Sequence, residues 1–190
     1  DVTIGEIVRY RLEVGIPEGT IPDFQITDVL PAGLRYLDDN TTKVAFLSNG
    51  RGGVSSSTLG ATPQENGVSG DGTTPTETLA ASAISGDGGD GFDSGEAPVF
   101  SLGDITNVDS DGDGESIVIE FNALAENVIA NQDGLVLNNS FQVDTTAPDA
   151  TTKTSNIASV EMLEPVINDL VFTPTTTPAT TPTTGDGNDT

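Results

Sequence analysis

Apolar and polar residues alternate from residue 7 to residue 14. Val8, Tyr10, Leu12 and Val14 point one way, and Arg9, Arg11 and Glu13 point the other. A period of two predicts a half-buried β-strand. Pro17-Glu18-Gly19 turns the chain, residues 24–30 predict a second strand, and Pro31-Ala32-Gly33 closes it. Shorter strands are predicted over 34–37 and 43–47. Strands so short, each bounded by Gly or Pro, argue for a β-sandwich. The rhythm breaks over 49–97, where Gly, Ser and Thr dominate and large apolar residues such as Leu59, Val68, Leu79 and Ile84 are scattered. That stretch reads as one long insertion with room for a weak hairpin. Strand patterning returns over 98–103, 116–125, 135–143 and 153–163, with a final candidate over 166–172. From Thr173 onward, Pro174, Pro178 and Pro182 interrupt a threonine run, the composition of an extended spacer with sites for O-linked sugars. The expected organisation is a sandwich over 1–163, a linking or donor strand over 164–172, and a spacer over 173–190.

One acidic stretch carries most of the candidate chemistry. Asp109-Ser110-Asp111-Gly112-Asp113-Gly114-Glu115 places three aspartates at alternate positions, and Glu120 closes a twelve-residue count. Converging carboxylates, a glycine at the sixth place and a late acid are the oxygen spacing of a calcium loop. The expected ligands are the carboxylates of Asp109, Asp111 and Asp113, the backbone carbonyl of Glu115, and Glu120. Strand alternation sets Glu120 on the face of Ser116 and Val118, so water or another acid is the alternative for the last position. Ser116-Ile117-Val118-Ile119-Glu120-Phe121 is β-branched and alternating, so the loop leads into a strand and not into the exiting helix of an EF-hand. The bland alternative is a solvated acidic turn. Gly88-Gly89-Asp90-Gly91-Phe92-Asp93 matches half of a calcium β-roll nonapeptide, but a single copy reads as a flexible acidic loop.

Composition narrows the function classes. Thirty acidic residues against six basic ones give a formal charge of −24. Such a surface repels nucleic acid and anionic membranes and gains from divalent cations, although solubility in salty surroundings explains the same charge. Cysteine and histidine are both absent, which excludes disulfides, thiol catalysis, Ser-His-Asp triads and nearly all zinc catalysis. Carboxylate pairs alone support glycoside hydrolysis, but there is no tryptophan and only two tyrosines to form a sugar platform. The chain therefore reads as non-enzymatic. It begins at Asp1 with no signal peptide or long apolar run, and reads as a mature or excised portion of an extracellular product, not inserted in a membrane.

Gly5-Glu6-Ile7-Val8-Arg9-Tyr10, followed by Ile26-Thr27-Asp28-Val29-Leu30-Pro31-Ala32-Gly33-Leu34-Arg35-Tyr36, resembles the bacterial immunoglobulin-like conserved repeat domain (domain of unknown function eleven). It is similar also to that domain's isopeptide-forming fimbrial relatives. Phe100-Ser101-Leu102-Gly103-Asp104-Ile105-Thr106-Asn107 and Leu137-Asn138-Asn139-Ser140-Phe141-Gln142-Val143 resemble later parts of the same repeat. The resemblance covers roughly 2–48 and 98–165. It implies an all-β, immunoglobulin-like antiparallel sandwich from a cell-surface stalk, filament, surface layer or adhesin. Relatives usually carry a further strand upstream, whereas residues 164–172 resemble the opening strand of a following repeat. A sheet lacking its first strand presents an open edge, so 166–172 is expected to complete its own sandwich or a neighbour's, head to tail. The fimbrial relatives also suggest a Lys–Asn isopeptide bond, for which Lys43 and Lys153 are the only lysines, with Asn138, Asn139 or Asn156 as partners. Sequons at Asn40, Asn138 and Asn188 permit N-glycosylation.

The expected function is thus an extracellular calcium-stabilised structural repeat that joins copies of itself. The alternative is an adhesin domain that binds a glycan or host protein through 49–97.

Overall fold

The computed structural model describes residues 1–49, 53–146 and 152–164. The proposed donor strand over 166–172 and the Thr/Pro spacer lie outside the described residues. In chain order the strands are β1 (Val2–Thr3), β2 (Ile7–Ile16), β3 (Gly19–Val29), β4 (Leu34–Tyr36), β5 (Lys43–Ser48), β6 (Val54–Ser56) and β7 (Gln64–Asn66). They continue as β8 (Glu77–Thr78), β9 (Ile84–Ser85), β10 (Val99–Asn107), β11 (Glu115–Ala125), β12 (Val136–Asp144), β13 (Thr152–Thr154) and β14 (Ala158–Leu163). A single 3-10 turn at Ala81–Ala83 is the helical content among the described residues.

The strands form two sheets. One runs β1-β14-β12-β3-β10-β6, with β13 added beside β12 and β9 beside β10; the other runs β2-β11-β5-β7, with β4 beside β11 and β8 beside β5. The pairs are antiparallel except β1 with β14 and β5 with β7, which are parallel. The longest pairing is β2 with β11, in unbroken register from Glu115↔Ile16 to Leu124↔Ile7.

The alternation read from the sequence sets the packing. Tyr10 and Leu12 are buried while Arg9 is exposed. Phe24 and Ile26 on β3, Phe100 and Leu102 on β10, Val44 and Phe46 on β5, and Ile117, Ile119 and Phe121 on β11 share one core between the sheets. Phe121 joins the layers: its ring centroid lies 5.6 Å from those of Phe100, Tyr36 and Tyr10. Burying side chains of this size contributes roughly 1.5–3 kcal/mol each, which is what holds two short-stranded sheets face to face.

Besides β1, which the alternation did not predict, and β10, which runs past 103 to Asn107, three elements differ from the sequence reading. β3 begins at Gly19, five residues early, and crosses Pro22 within a region of shifted register opposite Gly103. A proline lacks the amide that a regular ladder needs, and a bulge removes that need. Asp23 takes φ +48 there, with its amide bonded to Asp104 Oδ1. The predicted strand over 153–163 is two strands, because the Ser155 hydroxyl accepts the amide of Phe141 and interrupts the ladder. Finally, the 49–97 stretch is stitched into both layers: β6 and β9 pair with β10, and β7 and β8 pair with β5. Arg11 Nη1 donates to Thr73 O at 2.7 Å, and Glu13 Oε1 accepts Ser69 Oγ and Gly70 N. The insertion therefore crosses the outer face of the second sheet, where Ala45, Leu47 and Val118 form a separate, fully buried cluster.

Candidate metal centre

The acidic loop joins the end of β10 to the start of β11, at one corner where the two sheets meet. Asn107, the last residue of β10, organises it. Its Nδ2 donates to Ile16 O at 3.0 Å and to Glu115 Oε2 at 2.9 Å, and its Oδ1 accepts the amide of Asp109 at 3.0 Å. Asp111 Oδ1 accepts the amide of Asp113 at 3.1 Å, folding the loop tip back on itself. Asp109 Oδ2 accepts the Ser48 hydroxyl at 2.9 Å.

This scaffold gathers one carboxylate oxygen each from Asp109, Asp111 and Glu115 within 4.8 Å of one another. Oxygens bound to one calcium at about 2.3–2.6 Å lie at most roughly 5 Å apart, so the spacing fits an ion in their midst. A second observation points the same way. Glu115 is only 6% exposed, and its Oε1 is buried without a hydrogen-bond partner. A buried, unpaired carboxylate oxygen costs far more than a solvated one, and a cation removes that cost. Asp113 Oδ2 is likewise buried and unpartnered. The neighbouring Asp113 carboxylate, close to that of Asp111 and of like charge, raises the Asp111 carboxyl above its ordinary range. The ion pairs among the described residues, Arg9–Glu120, Arg11–Glu13, Arg11–Glu120 and Arg35–Glu126, leave these acids without a positive partner.

The sequence-derived ligand set is thus only partly reproduced. Asp109 and Asp111 converge as expected, and Asp113 sits beside them with a free oxygen. Glu115 brings its carboxylate to the cluster, where the sequence reading expected its backbone carbonyl. Glu120 is elsewhere: its carboxylate binds Arg9 Nε and Arg11 Nη1, both at 3.0 Å. The reason is extension. β11 begins at Glu115, and five further residues at about 3.3 Å each carry Glu120 roughly 16 Å up the strand. Gly114 does not take a left-handed φ either, so the loop turns without the glycine geometry that the helical template implies. Asp87, Asp90 and Asp93 do not form a three-acid cluster.

A second polar feature was hidden in the sequence pattern. Asp28, on β3, is fully buried, and its Oδ2 accepts Asn139 Nδ2 at 3.0 Å. Asp28 Oδ1, Asn139 Oδ1 and Tyr10 Oη are all buried without partners around a cavity of about 80 Å3. Burial pushes the Asp28 carboxyl up to about 7, against the lowering effect of Asn139. Burial and the Asp28 charge push the Tyr10 hydroxyl up to about 12. Neither lysine lines this cavity. Lys43 Nζ donates to Thr78 Oγ1 and Thr76 O, and Lys153 stands exposed on β13. Asn138 bonds Ser159, and Asn156 lines the cavity. The signal that would have marked the site is Asp28 itself, an acid whose strand neighbours Ile26 and Leu30 face the core. A larger groove of about 340 Å3 lies between the insertion (Thr58, Leu59, Ala83) and Phe24, Gln25 and Ser101 of the first sheet.

No family profile matches the chain, and no curated protein does. Among solved structures, the chain is similar to the collagen-binding subdomain ACE19 of the Enterococcus faecalis surface protein ACE. The identity is 15% and the TM-score 0.45, over 82% of this chain and 87% of that one. A longer structure of the E. faecalis MSCRAMM ACE matches at 15% identity and TM-score 0.45, over 83% of this chain and 46% of that one. The collagen-binding domain of a Staphylococcus aureus adhesin matches at 11% identity and TM-score 0.41, over 83% and 88%. At these values no ligand or residue role passes to this chain. No helix among the described residues is long and apolar enough to cross a membrane.

Proposed function

We propose that the chain is an extracellular, calcium-stabilised structural module of a bacterial filament, stalk or surface layer, in contact with copies of itself. The observation that carries this reading is the corner formed by Asp109, Asp111 and Glu115, with Glu115 Oε1 buried and unpaired. Calcium there neutralises repelling carboxylates and ties the exit of β10 to the entry of β11, so that the sandwich resists unfolding. Its work is mechanical, not catalytic. Melting curves of the full chain in calcium and in chelator test it: a ligand bound only by the folded form raises the melting temperature. Equal curves at saturating calcium would sink the proposal. Association into fibres with rising concentration, lost on trimming 164–190, is the expected sign of head-to-tail joining. N-linked sugars at the exposed Asn40 and Asn138 fit the same surroundings.

The second reading, an adhesin that takes a glycan or host protein through 49–97, is favoured by the groove beside Leu59 and Ala83. Deleting the insertion would remove strands from both sheets. Ser82→Trp, at an exposed residue lining the groove, is the cleaner test, with loss of binding on a glycan array and an unchanged fold as the expected result.

A further inference from the structure

The acidic loop is also where the insertion is fastened. On one side, Ser48 Oγ donates to Asp109 Oδ2 at 2.9 Å and accepts the amide of Gly53 at 3.3 Å, while Val108 N donates to Gly53 O at 2.8 Å. The approach is tight enough that a Cβ on Gly53 would lie 2.6 Å from Asp109 Cβ. On the other side, Ser69 N donates to Gly114 O at 3.3 Å, and Glu13, which holds Ser69 and Gly70, also accepts Ser116 Oγ at 3.3 Å. Two separate parts of the insertion thus grip the two ends of one loop, whose interior holds Asp109, Asp111, Asp113 and Glu115. We infer that the cation at this corner is a clasp whose occupancy controls how firmly residues 53–73 are held on both sheets. The inference rests on the calcium reading above and adds a regulated element to it.

The argument is one of geometry and charge. Asp109 offers one carboxylate to the three-acid cluster and to Ser48, so a bound ion fixes the side chain that anchors Gly53. With no ion, the four acids of 109–115 repel, and the loop relaxes at the positions where Gly53 and Ser69 are attached. β10 and β3 are held by their own ladder and core, so the effect falls on the insertion more than on the sandwich. The groove beside Thr58 and Leu59 has one wall from the insertion and therefore depends on the same clasp.

Hydrogen exchange on the full chain tests the inference, with calcium binding measured in parallel by titration calorimetry using calcium alone. In calcium, the amides of Gly53, Ser69 and Val108 are expected to exchange at least tenfold more slowly than in chelator, with a smaller change for β3 and β10. Ser48→Ala keeps the three carboxylates, so it is expected to bind calcium within about threefold of the wild type while losing most of the calcium-induced protection at Gly53. Glu115→Gln is expected to lose calcium binding and to exchange like the chelated wild type. No heat of calcium binding overturns the calcium reading and the clasp together. Binding with uniform slowing, or with no change at 53–73, overturns the clasp alone.

Discussion

Asn107 Nδ2 holds Glu115 Oε2 at 2.9 Å and thereby decides which oxygen of that buried carboxylate is left for a ligand. Glu115→Gln preserves the volume and removes the charge. In the wild type, calcium at about a hundred times its dissociation constant adds roughly 2.7 kcal/mol, or about 5–11 °C in melting temperature for a domain of this size. The substituted chain is expected to melt at the same temperature with and without calcium, as scanning calorimetry will read.

Glu120→Gln separates the two ligand sets. If the twelfth position were a ligand, its loss would abolish the calcium shift. The structure engages Glu120 with Arg9 and Arg11 instead, in partly exposed pairs. The expected outcome is an unchanged calcium shift and a loss of at most about 1 kcal/mol of stability by urea unfolding.

Asp28 predicts a pH dependence. Its folded-state carboxyl is raised to about 7 from 3.8, so the native protein keeps a proton that the unfolded chain releases. Its contribution is therefore whole below about pH 4, falls as the pH rises, and is exhausted above about 7, an upper bound of order 4 kcal/mol. Carboxylates held low by hydrogen bonds, such as Asp39 and Asp71, act in the opposite sense on acidification. The informative quantity is thus the difference between wild type and Asp28→Asn. Urea midpoints at pH 5 and pH 8 are expected to show the variant gaining on the wild type at the higher pH.

Phe121→Ala removes the ring that touches Phe100 across the layers and Tyr10 and Tyr36 within them. A loss of about 3–5 kcal/mol is expected from denaturant unfolding, because the residues around a fully buried ring cannot collapse into its place.

Much of the sandwich was legible because alternation maps directly onto burial, as Tyr10, Leu12, Ile117, Ile119 and Phe121 illustrate. Local spacing likewise brought Asp109 and Asp111 together. Two kinds of information were not in the local pattern. One is where a strand starts: β11 begins at Glu115, which brings that residue's carboxylate, not its backbone carbonyl, beside Asp109 and Asp111 and carries Glu120 away from them. The other is contact between distant segments. The pairing of Asn139 with Asp28 spans 111 residues, and the grip of Ser48 on Asp109 spans 61. The pairings of the Gly- and Thr-rich insertion were illegible for the same reason: its short strands β6–β9 have little apolar pattern of their own and are made by the strands they join.

Val2 and Thr3 lie parallel to Met162 and Leu163, so the first and last described strands point the same way along one sheet. Opposed tension at Asp1 and Glu164 would drag those strands past each other lengthwise. Both rungs would then resist in shear at the same moment, where a hairpin arrangement would unzip them one after the other.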